Sequence, residues 1–158
     1  MQHFDADATR DALPFDRLIP ALRELFASGC EVPPRHVHTL PGADGDSATL
    51  LIMPAWLPGR FLGIKTVSVF PVNAARGLPG LHATYTLYDA ATGRPLAQMD
   101  GDQITARRTV AASALAASSL ARRDATRLLV VGAGRVAALL PAAYRAVRPI
   151  QRVEVWAR

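Results

Sequence analysis

Lys65 is the only lysine among the 18 lysines and arginines of this 158-residue chain. Where a sequence uses arginine for nearly all positive charge, a lone lysine in the apolar run LGIKTVSVF has two readings. It is chance, or it marks a place where a compact ammonium able to lose its proton is wanted. A second candidate lies near the end, in LLVVGAGRVAALL. There an apolar run leads into Gly132-Ala133-Gly134-Arg135-Val136-Ala137, followed by an Ala-rich stretch and a strand-like run from Val153 to Trp156. In a dinucleotide-binding turn the first glycine makes the bend, the second admits the pyrophosphate, and a third small residue lets helix and strand pack. Gly132, Gly134 and Ala137 suit those roles, and the helix start at Arg135 and Val136 offers N–H donors and a favourable dipole. The motif alone is weak, because glycine turns end many strands, but the strand before it and the helix and strand after it supply the required context. No carboxylate follows the second strand to hold a ribose hydroxyl. Arg158 stands there instead, which favours the 2′-phosphate of NADPH over NAD, the alternative being a merely solvated arginine.

The elements that must position these residues follow from periodicity. Residues 14–27 place Phe15, Leu18, Ile19, Leu22, Leu25 and Phe26 at helical spacing, with Pro14 at the start and Gly29 as the stop. VPPRHVHTL alternates, predicting a short strand with His36 and His38 on one face. GADGDS is a turn and ATLLIMP a second, more buried strand. Pro58-Gly59 breaks the chain before FLGIKTVSVF, the third strand. PVNAARGLPG reads as a loop, LHATYTLYD as a fourth strand, ATGR as its turn and PLAQM as a fifth. Strands in succession without intervening helices predict an antiparallel or mixed sheet. TARRTVAASALAASSLAR, residues 105–122, is a helix whose small side chains allow close packing against a sheet.

Composition narrows the function. Half the residues are hydrophobic and 20% are charged, as in a soluble globular domain. The net charge of +5 raises the question of nucleic acid, but the basic residues are scattered singly or in pairs, so no nucleic-acid partner is expected. Cys30 is alone, which suits a reducing cytosol and excludes an intrachain disulfide. The acidic, polar start MQHFDADATRD is no export signal, and no stretch spans a membrane. His36, His38 and His82 lack acidic or Cys partners at metal spacing, so no metal site is expected.

Several of these pieces occur together and in order: LGIKTVSVFPVN, GLPG, LYDAATGRPLAQMDGDQIT, ARRTVAASALAASSLAR and LLVVGAGRVA. From about Val32 to Arg158 the chain resembles the ornithine cyclodeaminase/mu-crystallin family. The most specific parts are the Asp-x-x-Thr-Gly-x-Pro turn and the Ile-Thr-x-x-Arg-Thr that follows. The resemblance implies an α/β protein: an N-terminal mixed sheet for dimerisation and substrate, over residues 1–123, then the start of a Rossmann dinucleotide-binding domain, over 124–158. It implies a homodimer and a nicotinamide cofactor. Carried over by position, Arg35 is similar to the arginine that grips the substrate carboxylate, Lys65 to the catalytic lysine, which also touches substrate, and Arg108 to the helix arginine near substrate and cofactor. Thr109 is a phosphate contact on the same footing.

Two departures refine the expectation. Ornithine-using members carry an acidic residue just before the Met-Pro of the second strand, whereas here Leu51-Ile52-Met53-Pro54 is wholly apolar. An apolar wall suits the ring of a cyclic imino acid better than a buried ammonium. The expected activity is therefore NADPH-dependent reduction of Δ1-pyrroline-2-carboxylate or Δ1-piperideine-2-carboxylate in the cytoplasm. The alternatives are an NAD-using ornithine cyclodeaminase and a non-catalytic mu-crystallin-like binding or dimerisation protein. Second, only two strands of the dinucleotide fold are present, so the chain reads as an N-terminal fragment. Residues 124–158 are then expected to be loosely packed or to lean on a partner.

Overall fold

The computed structural model describes residues 1–42 and 46–158, so the tip of the GADGDS turn lies outside the described residues. The protein is α/β and divides into two compact units, residues 1–9 with 30–102, and residues 10–29 with 103–158.

The first unit is built on a six-stranded sheet. Its strands are β1 (Gln2–Phe4), β2 (His36–Pro41), β3 (Ser47–Leu57), β4 (Phe61–Val69), β5 (Leu81–Asp89) and β6 (Pro95–Asp100). They lie in the order β1-β6-β5-β4-β3-β2. β2 to β6 pair antiparallel with their sequence neighbours, as hairpin-length connections dictate, while β1 joins β6 in parallel, so the sheet is mixed. β1 and the helix α1 (Ala6–Ala12) have no signal in the sequence pattern. β1 is tied by its ladder to β6, and α1 by Thr9, 1% exposed, whose hydroxyl donates to Phe4 O and accepts from the Asp100 N–H, both at 3.2 Å. The stretch read as a plain loop after β4 contains a 3-10 turn over Pro71–Arg76. The Asp-x-x-Thr-Gly turn has a local cause. Asp89 accepts from the N–H groups of Ala91 and Thr92, at 2.8 and 3.0 Å, and these bonds hold its carboxyl below the usual carboxylate range.

The second unit holds α2 (Phe15–Ser28), most of α3 (Gly101–Leu120), β7 (Arg127–Val131), α4 (Arg135–Arg145) and β8 (Arg152–Trp156). The small residues of α3 were expected to meet a sheet. They meet helices instead: Val110, Ala111 and Ala114 pack with Phe15 and Ile19 of α2 and Ala143 of α4. Alanine at these positions lets the backbones approach, and four of the six are wholly buried. Residues 124–158 are thus not loose on this side, because α4 shares that core. The other face of the parallel β7–β8 pair is open, with Leu129, Val131 and Trp156 each more than half exposed. Glu154 bridges Arg127 at 2.7 Å and Arg152 at 2.9 Å, relieving the two arginines that stand opposite each other in register.

Arg148 braces this unit. Its Nη2 donates to the carbonyls of Ala117, Ser118 and Ala121 at 2.7–3.0 Å, and its Nε to Arg122 O at 2.9 Å. These are carbonyls at and just past the end of α3, which have few or no intrahelical partners, and a cation there also complements the helix dipole. No helix of the described residues is long and apolar enough to cross a membrane. Arg148→Ala is expected to lower the unfolding free energy by about 2 kcal/mol. Arg148→Lys should recover under half of it, since an ammonium lacks the planar fork. Urea midpoints at constant m-value measure both, and an unmoved midpoint in Arg148→Ala would refute the brace.

Candidate functional site

Lys65 lies mid-strand in β4, half-buried, with Met53 of β3 directly opposite on one side and Tyr85 of β5 on the other. Tyr85 in turn pairs with Met99, and Met99 with Phe4. Residues opposite one another share a face, so these five side chains form one row across the sheet. Leu51 and Val67 pair in the adjacent row of the same face, and Val67 is 5% exposed. The lysine is thus set among apolar neighbours.

One of those neighbours takes space from another position. Gly63 lies two residues before Lys65 on the same face, and a Cβ placed there would run into the hydroxyl and ring of Tyr85. The ring therefore lies across β4 where a side chain would otherwise stand. Burial, and secondarily the nearby Cys30 thiol, push the Tyr85 hydroxyl above its ordinary pKa of 10.0. Sequence reasoning missed both residues, although a glycine inside the strand LGIK is a recognisable mark of close approach. Arg35 is exposed and immediately precedes β2, whose first residue His36 pairs with Ile52. It therefore enters the sheet level with Met53, one strand further from Lys65. His36 and His38 share the opposite face, their rings 6.4 Å apart. On that face too, Thr66, Ser68, His82, Thr84, Asp100 and Asp102 line a cavity of about 310 Å³. Among the described residues no three His, Cys, Asp or Glu side chains gather to hold a metal ion.

The remaining predicted residues belong to the second unit. α3 carries two adjacent arginines, of which the family resemblance singles out Arg108, and their surroundings differ. Arg107 is 8% exposed, donates to Leu13 O at 2.7 Å and lies 4.3 Å over the Phe15 ring. Desolvation, with Arg10 nearby, lowers its pKa. Arg107 is an internal tie, and Arg108 on the next face of the helix is exposed. Thr109 donates its hydroxyl proton to Thr105 O at 2.7 Å, so in this arrangement it can accept from a ligand but not donate to a phosphate.

The glycine turn separates β7 from α4. Gly132 has φ +110°, outside the range of L side chains, and its N–H donates to Trp156 O at 2.7 Å. Gly134 is extended, φ −78°, and no side chain caps the helix that begins at Arg135 and Val136. A Cβ on either glycine would meet nothing within 4 Å, so the space beside both glycines is open. Arg158, two residues past β8, places its guanidinium 5.9 Å over the Trp156 ring.

A mixed sheet is followed here by a strand–glycine turn–helix–strand unit, the order in which a dinucleotide-binding fold opens. The model of the ornithine cyclodeaminase/mu-crystallin family matches residues 11–158, and the chain belongs to that family. It is 46% identical over 132 residues to the Δ1-pyrroline-2-carboxylate reductase of Paracoccus denitrificans, a match covering 78% of this chain and 42% of that protein. Among solved structures, the Thermococcus litoralis Δ1-pyrroline-2-carboxylate reductase in complex with NADH and L-proline is similar over 99% of this chain and 49% of its own, with 32% identity and a TM-score of 0.82. A lysine cyclodeaminase, solved for its recognition of L-lysine, L-ornithine and L-2,4-diaminobutyric acid, is similar over the same shares, with 33% identity and a TM-score of 0.73. The chain spans about half the length of the relatives it matches.

Two measurements check this geometry. Tyr85 should titrate above its ordinary value of 10.0 in a 295 nm absorbance titration, its step being the one lost in Tyr85→Phe. Since its folded pKa is raised, its contribution to stability is intact below about pH 10 and is lost as pH rises from there through the folded value. Tyr85→Phe should remove that alkaline loss. Gly132→Ala should cost about 1–3 kcal/mol through its positive φ, whereas Gly134→Ala should leave the melting temperature unchanged.

Proposed function

We propose that the chain is the N-terminal part of an NADPH-dependent reductase of a cyclic imino acid, Δ1-pyrroline-2-carboxylate or Δ1-piperideine-2-carboxylate, giving L-proline or L-pipecolate. The observation that carries this reading is the apolar surround of Lys65. Leu51 and Met53 line the β3 side of its face. Ile52, at the position just before the Met-Pro where ornithine-using members carry an acid, is apolar as well, although it lies on the opposite face. The wholly apolar stretch disfavours an ornithine- or lysine-cyclising reaction. The similarity to two pyrroline-carboxylate reductases supports it.

Each residue then has a task. Arg35 pairs with the substrate carboxylate, for which a guanidinium offers two parallel donors. Lys65 Nζ donates a proton to the imine nitrogen as the C=N π electrons move onto that atom, leaving a secondary amine. A bound nicotinamide supplies the hydride that the imine carbon receives. Gly132, Gly134, Arg135 and Val136 would hold its pyrophosphate at the open turn, and Arg158 the 2′-phosphate. Arg108 supplies an exposed cation for substrate or cofactor, and Thr109 an accepting hydroxyl beside it. Residues 1–123 serve substrate binding and dimerisation, and 124–158 begin the dinucleotide domain. The working form is a homodimer in a reducing cytoplasm, where a lone exposed Cys30 stays a thiol.

A thermal-shift titration with NADPH and with NADH tests the cofactor, since a ligand that binds only the folded state raises its melting temperature. NADPH should shift the wild type, and Gly134→Ala should lose the shift while keeping its own melting temperature. A shift with NADH alone would remove the role of Arg158, and no shift with either would defeat the reading. Turnover of the two imines is expected to fall at least about 100-fold in Lys65→Ala.

A further inference from the structure

Tyr85 is half-buried opposite the proposed proton donor, yet it has no part in the reaction as written above. Three sides of Lys65 on its own face can be read from the strand register. Val67, almost fully buried, is its same-face neighbour toward the end of β4. Gly63 is the neighbour toward the start, and the Tyr85 ring fills the place of its missing side chain. Across the strand on the β5 side stands Tyr85 itself. The β3 side remains, where Met53 is the direct partner and the next strand begins level with Arg35. A lysine stem lies readily along apolar surface and carries its ammonium to where the wall ends.

We propose that Tyr85 is a positioning residue for Lys65: its ring, seated over Gly63, closes the β5 side of the row and directs the ammonium toward Met53 and the carboxylate-binding arginine. Gly63 is the second half of this device, because any side chain there would evict the ring. The raised pKa of the Tyr85 hydroxyl keeps it neutral at working pH, so it confines the lysine without adding a charge beside it. The catalytic consequence rests on the reading of Lys65 as proton donor, while the confinement of the lysine does not.

The chain has one lysine and one α-amino group, so Lys65 can be followed alone. Acetylation of Lys65 by acetic anhydride at fixed pH, read by peptide mass with the α-amino group as internal reference, measures its confinement. Tyr85→Ala and Gly63→Ala should both raise the rate about fivefold, and Tyr85→Phe, which keeps the ring, should stay near wild type. If Gly63→Ala does not melt cooperatively, Tyr85→Leu takes its place, with the same rise expected. Equal rates in the wild type and the folded variants would overturn the proposal. In turnover of the imine, Tyr85→Ala should lower kcat about tenfold with KM within about twofold, and Tyr85→Phe should recover most of kcat. A wild type that turns over neither imine would defeat the proposed function, and the acetylation rates would still decide the role of Tyr85.

Discussion

The register of β3, β4 and β5 is the constraint on which the rest of the sheet unit depends. Side chains alternate across a sheet, so a slip of one residue would send Lys65 to the opposite face, beside Ile52 or Pro54 of β3 and Thr84 or Thr86 of β5, and away from Met53 and Tyr85. The tight break at Pro58-Gly59 joins β3 to β4 with three residues between Leu57 and Phe61, which leaves little slack. Gly63 adds a steric lock. The Tyr85 ring can lie flat only where a residue without a side chain faces it, and in β4 only Gly63 provides that. A residue that looks like a weak point in a strand is therefore one of the features that specify its pairing.

The helical unit depends on a different economy. Half of its buried core residues are alanine, whose contacts bury little area each, so its stability depends also on how closely the backbones approach and on how well the helix ends are satisfied. Arg107 and Arg148 do the second job from inside. One ties the start of α2 to the middle of α3, and the other gathers the carbonyls at and beyond the end of α3. Two arginines in a chain rich in arginine thus make internal ties, while Arg108, the neighbour of one of them, is exposed.

The open glycine turn and the apolar surround of Lys65 differ in what they could recognise. A turn with space beside both glycines and no side-chain cap on the following helix suits the backbone recognition of phosphate, which is common to dehydrogenases of many substrates. The apolar side chains beside Lys65 offer shape and no charge, and an unpaired ammonium among them would be costly.

The sequence by itself determined the main element types, the mixed sheet and the glycine turn, which follow from local periodicity and from turn residues, while the grouping of Lys65, Arg35 and Arg108 came from the resemblance to a family. It did not reveal β1 and α1, which have too few apolar residues to show a period and are held by the ladder to β6 and by a buried threonine reaching Phe4 and Asp100. Nor did it show that Arg107 is an internal tie, pack the alanines of α3 against helices, or bring Tyr85 over Gly63. Each of these depends on a partner between 5 and 94 residues away along the chain. The physical reason is common to them: a pattern within one strand or helix says which face is apolar, but only the packed neighbours decide what that face meets.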